Sequence, residues 1–175
     1  MKPPRLCSIS SRGTRSSVHY IRPAVPLDAE ALARLRYDFR AAAEPPSEPM
    51  ELFVPRCAAW MAQRLQLGSN WHCWLYEYEG RPAGQAWLQL IDKLPNPAAE
   101  FERHGYITNV YVAPALRGSG AGEALVSEAV SFCYANAVDS VILWPTERSR
   151  SLYERFGFAV RDDLMEAQLG PLRHI

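Results

Sequence analysis

The chain has no excess of either charge and no long apolar run. Its 175 residues include 19 Lys or Arg and 19 Asp or Glu, so the whole molecule has no electrostatic preference for nucleic acid or for an anionic membrane surface. No stretch of eighteen apolar residues occurs, which argues against a membrane-spanning helix. We therefore expect neither a nucleic-acid partner nor a membrane partner.

Paired cysteine motifs are also missing. The four cysteines stand alone at positions 7, 57, 73 and 133, without the CxxC spacing of a zinc site. A zinc site built on His72 and Cys73 would need distant ligands and has no CxxC or HxxxH unit, so we expect no metal. Scattered thiols are typical of a reducing compartment, and we predict reduced cysteines and a cytoplasmic protein.

Acidic residues are absent from the first 27 positions, which are rich in Arg and Ser. The segment lacks the apolar core of a secretory signal. Its composition is typical of a transit peptide, but Pro3, Pro4 and Gly13 oppose an amphipathic helix. We predict a disordered basic tail over residues 1–16 and a single globular domain over residues 17–175.

The pattern of apolar and turn-forming residues predicts an α/β fold with a mixed sheet. The predicted order of elements is β-α-α-β-β-β-α-β-α-β-β. A hairpin that turns at Glu79–Gly80 lies between helical segments, so part of the sheet is antiparallel. Other strands are predicted at residues 18–22, 105–113 and 140–144, and on both sides of Asp162–Asp163.

Two helices are predicted before the hairpin and two after it. Asp28 is the expected N-cap of the first helix, which turns Leu32, Leu35 and Phe39 to one face. The second helix contains Pro55, which must lie in its first turn or kink it. The third helix follows the glycine-rich stretch "RGSGAG", and the short fourth helix lies within "SRSLYERFGF".

Three glycines and an arginine separate a predicted strand from a predicted helix in "ALRGSGAG". Glycines permit positive φ and close approach, so consecutive backbone N–H groups can form an anion site that the helix dipole strengthens. Two known phosphate loops are excluded, because Glu123 stands where a Gly-Lys-Ser/Thr loop needs lysine and the spacing does not fit GxGxxG. We interpret the stretch as a pyrophosphate cradle, with a turn that binds nothing as the alternative.

Two separated motifs resemble the GCN5-related N-acetyltransferase family. Arg117, Gly120 and Gly122 match its R/Q-x-x-G-x-G/A signature, and "LYERFGF" at residues 152–158 matches its later LYxxxGF element. "YIRPAVPLDAEAL" is similar to the family's first strand and helix, and the resemblance covers residues 18–170. It implies a mixed, mostly antiparallel sheet with a central splayed pair of parallel strands, flanked by about four helices.

The resemblance implies acetyl-CoA as co-substrate. The pantetheine arm would pair like an extra strand with residues 107–113, where they splay from residues 141–144. The pyrophosphate would lie on the glycine-rich loop, whose Arg117 either takes part or holds the loop through its stem. The expected cofactor contacts are the backbone groups of Val110, Tyr111 and Val112, the loop residues Arg117, Gly118, Ser119, Gly120, Ala121 and Gly122, and Thr146, where the family often has Asn.

The implied reaction is the attack of a primary amine on a thioester. A backbone N–H at the splay, that of Val110 or Tyr111, would stabilise the oxygen that gains charge. Tyr153 matches the family's general acid, with packing in the core as the alternative. Because a phenol near pKa 10 is a weak acid toward a thiolate near 8.5, we expect Tyr153 to act mainly through a hydrogen bond.

Asn109 is the second candidate catalytic residue, because many relatives carry an acid on this strand. An amide cannot accept a proton at neutral pH, so the base stays open. One alternative is an acidic residue or a histidine that acts through a water molecule. The other is that no residue acts as base, because the amine arrives partly neutral. The side chains considered are Glu77, Glu100, Glu102 and His104.

The amine acceptor is a small molecule or a peptide. A polyamine, an amino acid, an aminoglycoside-like drug and a protein amine are all compatible with the sequence, and a homodimer is also open. The sequence therefore predicts an acetyl-CoA-dependent N-acetyltransferase. The alternative is a non-catalytic CoA-binding domain that acts as a sensor or as the partner of another protein.

Overall fold

A sheet of five strands in the order β1-β2-β3-β4-β5 forms the centre of the computed structural model, which describes residues 18–167. The predicted tail over residues 1–16 lies outside the described residues. The strands are β1 (His19–Pro23), β2 (Trp71–Tyr78), β3 (Arg81–Asp92), β4 (Arg103–Val112) and β5 (Ser140–Ile142). The helices are α1 (Ala29–Ala41), α2 (Met50–Arg64), α3 (Ala121–Ala135) and α4 (Arg150–Glu154).

The first four strands are antiparallel to their neighbours, and β5 is parallel to β4. The turn between β2 and β3 is the predicted one, with φ of +50° at Glu79 and +72° at Gly80. Positive φ at both central residues belongs to the type I′ turn, whose twist matches that of a hairpin. The mixed, mostly antiparallel sheet predicted from the sequence is confirmed.

The parallel pair of β4 and β5, at one edge of the described sheet, ends after three residues. His104 pairs with Ser140 and Tyr106 with Ile142, where β5 ends, while β4 continues to Val112. β5 is shorter than the predicted strand at residues 140–144. The remaining six residues of β4, from Ile107 onward, thus have a strand partner on the β3 side alone among the described residues.

Helices cover both faces of the sheet. On one face α3 packs Leu125 and Ala129, both fully buried, against β2, β3 and β4. On the other face α1 and α2 pack Leu32, Val54 and Met61 against the same strands. Each of these helices has one apolar face because its apolar residues recur at helical spacing. Burial of these faces against the sheet gives the arrangement of three layers.

One buried polar side chain ties α1 to the sheet. Gln85 on β3 is fully buried, and its Nε2 donates to the carbonyl of Leu32 at 3.1 Å. Its Oε1 accepts a hydrogen bond from Trp87 Nε1 at 2.8 Å. Both ends of the amide are therefore satisfied, and they fix where α1 crosses the sheet.

The structure refines or corrects three local predictions. Pro55 lies in the second turn of α2, so the first-turn alternative is excluded and a kink at Pro55 stays a prediction. Asp28 does occupy the N-cap position of α1, but its carboxylate accepts hydrogen bonds from Arg22 and from the N–H of Val25. The strands predicted around Asp162–Asp163 are not formed within residues 155–167, where those two acids make a turn; any part of them beyond residue 167 lies outside the described residues.

Candidate active site

The open edge of β4 presents backbone hydrogen-bonding groups. The N–H of Ala113 donates to the carbonyl of Ala83 on β3 at 2.8 Å. Because N–H and C=O groups alternate between the two sides of an antiparallel strand, Tyr111 is directed toward β3 and Val110 and Val112 are directed toward the gap. Of the three residues predicted to contact the cofactor through their backbone, Val110 and Val112 thus direct their N–H and C=O groups into the gap beside β4.

A β-bulge marks the beginning of this edge. The pairing between β3 and β4 shifts between Gln85 and Trp87, opposite Asn109, which has a φ of +52°. Asparagine tolerates this left-handed conformation better than most residues. The side-chain Oδ1 of Asn109 accepts a hydrogen bond from Arg36 Nη1 on α1 at 3.1 Å. Asn109 therefore contacts a cation that the sequence did not single out.

The glycine-rich loop has the conformation of an anion cradle. Gly118 and Gly120 have φ values of +81° and +88°, and Cβ atoms added there would meet nothing within 4 Å. Glycine is needed at both positions for the backbone conformation. The N–H groups of Gly118 and of residues 120–123 have no acceptor within residues 18–167. They lie at the positive end of α3, where an anion is stabilised.

Arg117 is bonded back to the strand. Its Nε donates to the carbonyl of Val112 at 3.2 Å, and its guanidinium carbon lies 5.9 Å from the centre of the Tyr111 ring. Ser119 also bonds locally, because its hydroxyl donates to the carbonyl of Leu116 at 2.7 Å. Of the two roles predicted for Arg117, these contacts favour holding the loop.

The two sequence motifs lie against each other. A Cβ at Gly122 would be 3.7 Å from Leu152 Cδ2 of α4. Arg155 Nη2 forms an ion pair with Glu123 Oε2 at 2.9 Å. The LYERFGF segment thus packs on the first turn of α3, beside the cradle.

Tyr153 is buried but not sealed. Its side chain is 8% exposed, and its ring packs edge-on against Phe158 at 5.9 Å between centres. Its hydroxyl has no hydrogen-bond partner within the described residues. Every fully buried polar side-chain atom in the same residues does have a partner. The Tyr153 hydroxyl is therefore not fully buried and reaches the surface. Burial raises the pKa of Tyr153 to about 12 and keeps the phenol protonated at neutral pH.

The remaining sequence candidates are engaged elsewhere. Thr146 Oγ1 lies 2.9 Å from Ser149 Oγ, within the turn that precedes α4. Among the possible bases, His104 contacts Ser140 Oγ at 2.7 Å where β4 and β5 are still paired. Glu77 forms an ion pair with Arg22, Glu100 forms one with Lys93, and Glu102 is an exposed residue just before β4. These side chains do not converge on the splay.

Other residues beside the splay were not predicted as site residues. The Tyr106 ring stands edge-on to Trp144 at 5.1 Å, and the Tyr106 hydroxyl donates to Thr108 Oγ1 at 3.1 Å. Trp144 is 44% exposed, and its Nε1 donates to Glu166 at 3.2 Å. Arg36 had a visible signal, because it is a charged residue on the stripe of α1 that carries Leu32, Leu35 and Phe39. Trp144 had no such signal, because a Trp at the end of an apolar run is indistinguishable from a core residue of a strand.

Two kinds of site find no support between residues 18 and 167. No group of three or more His, Cys, Asp or Glu side chains there could hold a metal ion. No helix in the same range is long and apolar enough to cross a membrane.

Comparison with known proteins gives a consistent family. A sequence model described as the acetyltransferase (GNAT) family matches residues 34–158. A glucosamine 6-phosphate N-acetyltransferase from Trypanosoma brucei brucei is 31% identical over 90 residues, which are 51% of this chain and 59% of that enzyme. The match therefore spans less than two thirds of that relative's length.

Solved structures share the fold over most of the chain. A GCN5-related N-acetyltransferase from Ralstonia eutropha JMP134 has a TM-score of 0.71 at 26% identity, covering 87% of this chain and 100% of the other. A predicted acetyltransferase from Clostridium acetobutylicum, crystallised with acetyl-CoA, has a TM-score of 0.73 at 21% identity, covering 87% and 97%. At 21% identity, the similarity to the Clostridium acetobutylicum structure shows a shared fold alone.

Proposed function

Because the chain belongs to the GNAT acetyltransferase family, we propose that it transfers the acetyl group of acetyl-CoA to a primary amine of a small molecule or peptide. The observation that carries this proposal is the open edge of β4 next to a glycine-rich loop with unpartnered N–H groups. A strand-like amide chain and a pyrophosphate are the two ligands that such neighbouring surfaces fit. We propose residues 17–175 as the domain responsible.

The backbone supplies most of the cofactor site. The carbonyl of Val110 and the N–H of Val112 would pair with the amides of pantetheine, and the N–H groups of Gly118 and residues 120–123 would hold the pyrophosphate. Arg117 would keep the loop against the end of β4. Acetyl-CoA, when bound, supplies an acetyl group activated as a thioester.

The N–H of Val110 is the proposed donor to the oxygen of the reacting carbonyl. Of the two candidates from the sequence, Tyr111 is directed toward β3, as its neighbour Ala113 is. Val110 follows the bulge at Asn109 and is directed toward the gap. A fixed backbone donor of this kind stabilises negative charge without reorganising during the reaction.

Tyr153 is the proposed hydrogen-bond donor to the departing sulfur. Its raised pKa keeps the proton on the phenol at neutral pH, so the hydroxyl remains a donor. The same high pKa makes full proton transfer to a thiolate unfavourable, which supports hydrogen bonding as its main contribution. The amine is proposed to arrive neutral or to lose its proton to water, since the four candidate bases lie elsewhere.

Release of CoA tests the proposal directly. The thiol of CoA is measured with acetyl-CoA and a panel of amines that includes glucosamine 6-phosphate, spermidine, an aminoglycoside, free amino acids and a lysine peptide. Acetyl-CoA and CoA should raise the Tm, whereas NAD and ATP should not. Binding of acetyl-CoA without turnover of any amine would favour a non-catalytic CoA-binding domain.

A further inference from the structure

The guanidinium of Arg36 is held at the start of the open edge of β4. It extends from α1, on the side of the helix that carries Leu35 and Phe39, and donates to Asn109 Oδ1 at 3.1 Å. Gln85 bonds to the carbonyl of Leu32, one turn earlier on the same helix. A buried anchor on α1 and the bulge on β4 therefore fix Arg36 from two directions.

Arg36 has no carboxylate partner within residues 18–167. Its contacts are the neutral amide of Asn109 and the Phe39 ring, and the charges of Arg40, Cys57 and Tyr106 influence its pKa. Of the fourteen Lys and Arg residues in the described chain, seven form no ion pair, and of these only Arg36, Arg40 and Arg64 are partly buried. The other seven each form an ion pair with an acid. They are Arg22, Arg34, Arg56, Lys93, Arg103, Arg155 and Arg161.

The surroundings make this unpaired charge costly. Burial is the main cause that lowers the pKa of Arg36, and the charge of Arg40 adds to it. Arg40 follows Arg36 by one helical turn on α1, and like charges at this spacing destabilise a helix. Arg40 itself has no acidic partner among the residues described. Two half-buried arginines thus lie one helical turn apart without a counterion from residues 18–167.

The unused donors of Arg36 remain accessible. Only Nη1 forms a hydrogen bond within the described chain, and no polar side-chain atom there is both fully buried and unpartnered. Its other nitrogens must therefore reach the surface. A guanidinium presents several N–H donors in a planar fork that fits a carboxylate or a phosphate with two parallel hydrogen bonds.

We propose that Arg36, assisted by Arg40, binds an anionic group of the acceptor, so that the substrate is a primary amine that also carries a carboxylate or a phosphate. This inference rests on the proposed function, because it places the acceptor beside the same edge of β4. Asn109 is both the partner of Arg36 and the residue before Val110, the proposed donor to the reacting carbonyl. The proposed anion site and the proposed reacting carbonyl thus lie beside consecutive residues of β4, which favours a compact acceptor.

Matched pairs of amines test the charge requirement. Glucosamine 6-phosphate is compared with glucosamine, and alanine with alaninamide, in wild type, Arg36→Gln and Arg34→Gln. Arg34 is the control, because it lies on the same helix, is exposed and pairs with Glu30. In wild type, one anionic member should exceed its neutral match in kcat/KM. Arg36→Gln should reduce that preference about 10- to 100-fold, mainly through KM, and Arg34→Gln should not.

Binding provides a second readout that does not depend on turnover. In saturating CoA, which occupies the cradle, the favoured anionic amine should raise the Tm of wild type and of Arg34→Gln but not of Arg36→Gln. Without acceptor, Arg36→Gln should be at least as stable as wild type, because it removes an unpaired half-buried charge.

The outcomes separate the two proposals. An anion effect that persists in Arg36→Gln, or neutral amines that serve wild type as well as anionic ones, overturns the inference about Arg36. An anionic amine that binds through Arg36 while no amine releases CoA overturns the acetyltransferase proposal and leaves the anion site standing. The phosphate and carboxylate pairs decide which oxyanion the site takes.

Discussion

Arg155 and Glu123 lie 2.9 Å apart and connect two motifs that are 32 residues apart in the chain. Both side chains are 55% exposed, so the ion pair itself contributes little to stability. The position of α4 depends more on Leu152, which packs over Gly122, and on Phe158, which packs against the core. The consequence is that Tyr153 and the glycine-rich loop are held as one unit.

Replacing Gly120 by Asp should abolish the rise in Tm that acetyl-CoA produces. The change places a negative charge in the proposed cradle, at a position with a φ of +88°. Gly80→Asp is the matched control, because Gly80 has a φ of +72°, equal space around it and a remote place in the hairpin turn. A Gly120→Asp protein that acetyl-CoA still stabilises like wild type would remove the cradle from the proposal.

Tyr153→Phe should reduce the rate of acetyl transfer by about 100-fold, within the usual range for acid–base catalysis. The ring and its contact with Phe158 are kept, so the fold and the affinity for acetyl-CoA should change little. Single-turnover kinetics is the appropriate measurement, because slow release of CoA would hide the effect in steady state. An unchanged single-turnover rate in a folded variant would assign Tyr153 to packing alone.

Asp28→Asn should lower stability at neutral pH by about 1–2 kcal/mol. The hydrogen bond from Arg22 is the main cause that lowers the pKa of Asp28. A carboxyl with a lowered folded-state pKa adds stability above its unfolded pKa, near 3.9, and loses it as the pH falls toward the folded value. The difference in Tm from wild type should therefore shrink below about pH 4.

Thermal melts from pH 3 to pH 7 measure this dependence. Asp38→Asn, on the exposed side of α1, is the control and should leave the Tm close to that of wild type throughout. A gap between Asp28→Asn and wild type that stays constant with pH would contradict the electrostatic explanation.

Gln85→Leu should lower the free energy of unfolding by about 1–3 kcal/mol. The substitution leaves the Trp87 indole N–H without its partner and removes the bond to α1 at Leu32. Gln89→Leu, four residues along β3, is the control, since its side chain makes no hydrogen bond within residues 18–167. Urea denaturation compares the two variants, and equal losses would show that the buried network is unimportant.

The sequence predicts those parts of the fold that local chemistry determines. The Glu79–Gly80 turn follows from turn geometry, and the α3 face follows from its apolar spacing. The early end of β5 could not be predicted, because residues 141–144 are all apolar and typical of a strand. Where a parallel pair separates depends on tertiary contacts such as that between Tyr106 and Trp144.

The sequence likewise predicts some parts of the candidate site and not others. The glycine-rich loop is visible in sequence because positive φ demands glycine at Gly118 and Gly120. The bulge at Asn109 is not visible, because an extra residue in a strand leaves no mark on a short alternating pattern. Arg36 stood out only as a charge on an apolar stripe, and its contact with Asn109 joins segments 73 residues apart.

The early end of β5 also limits the shape of what the protein can admit. Paired strands lie about 4.8 Å apart, so an extended chain can enter beyond Tyr106 only where β4 and the segment after β5 are separated by about twice that spacing. A slender molecule with amide groups along its length can follow Val110 and Val112 into the sheet, whereas a branched or ring-shaped one meets the backbone first. On the proposed function, this slot would distinguish acetyl-CoA from cofactors that share its pyrophosphate but lack an amide chain.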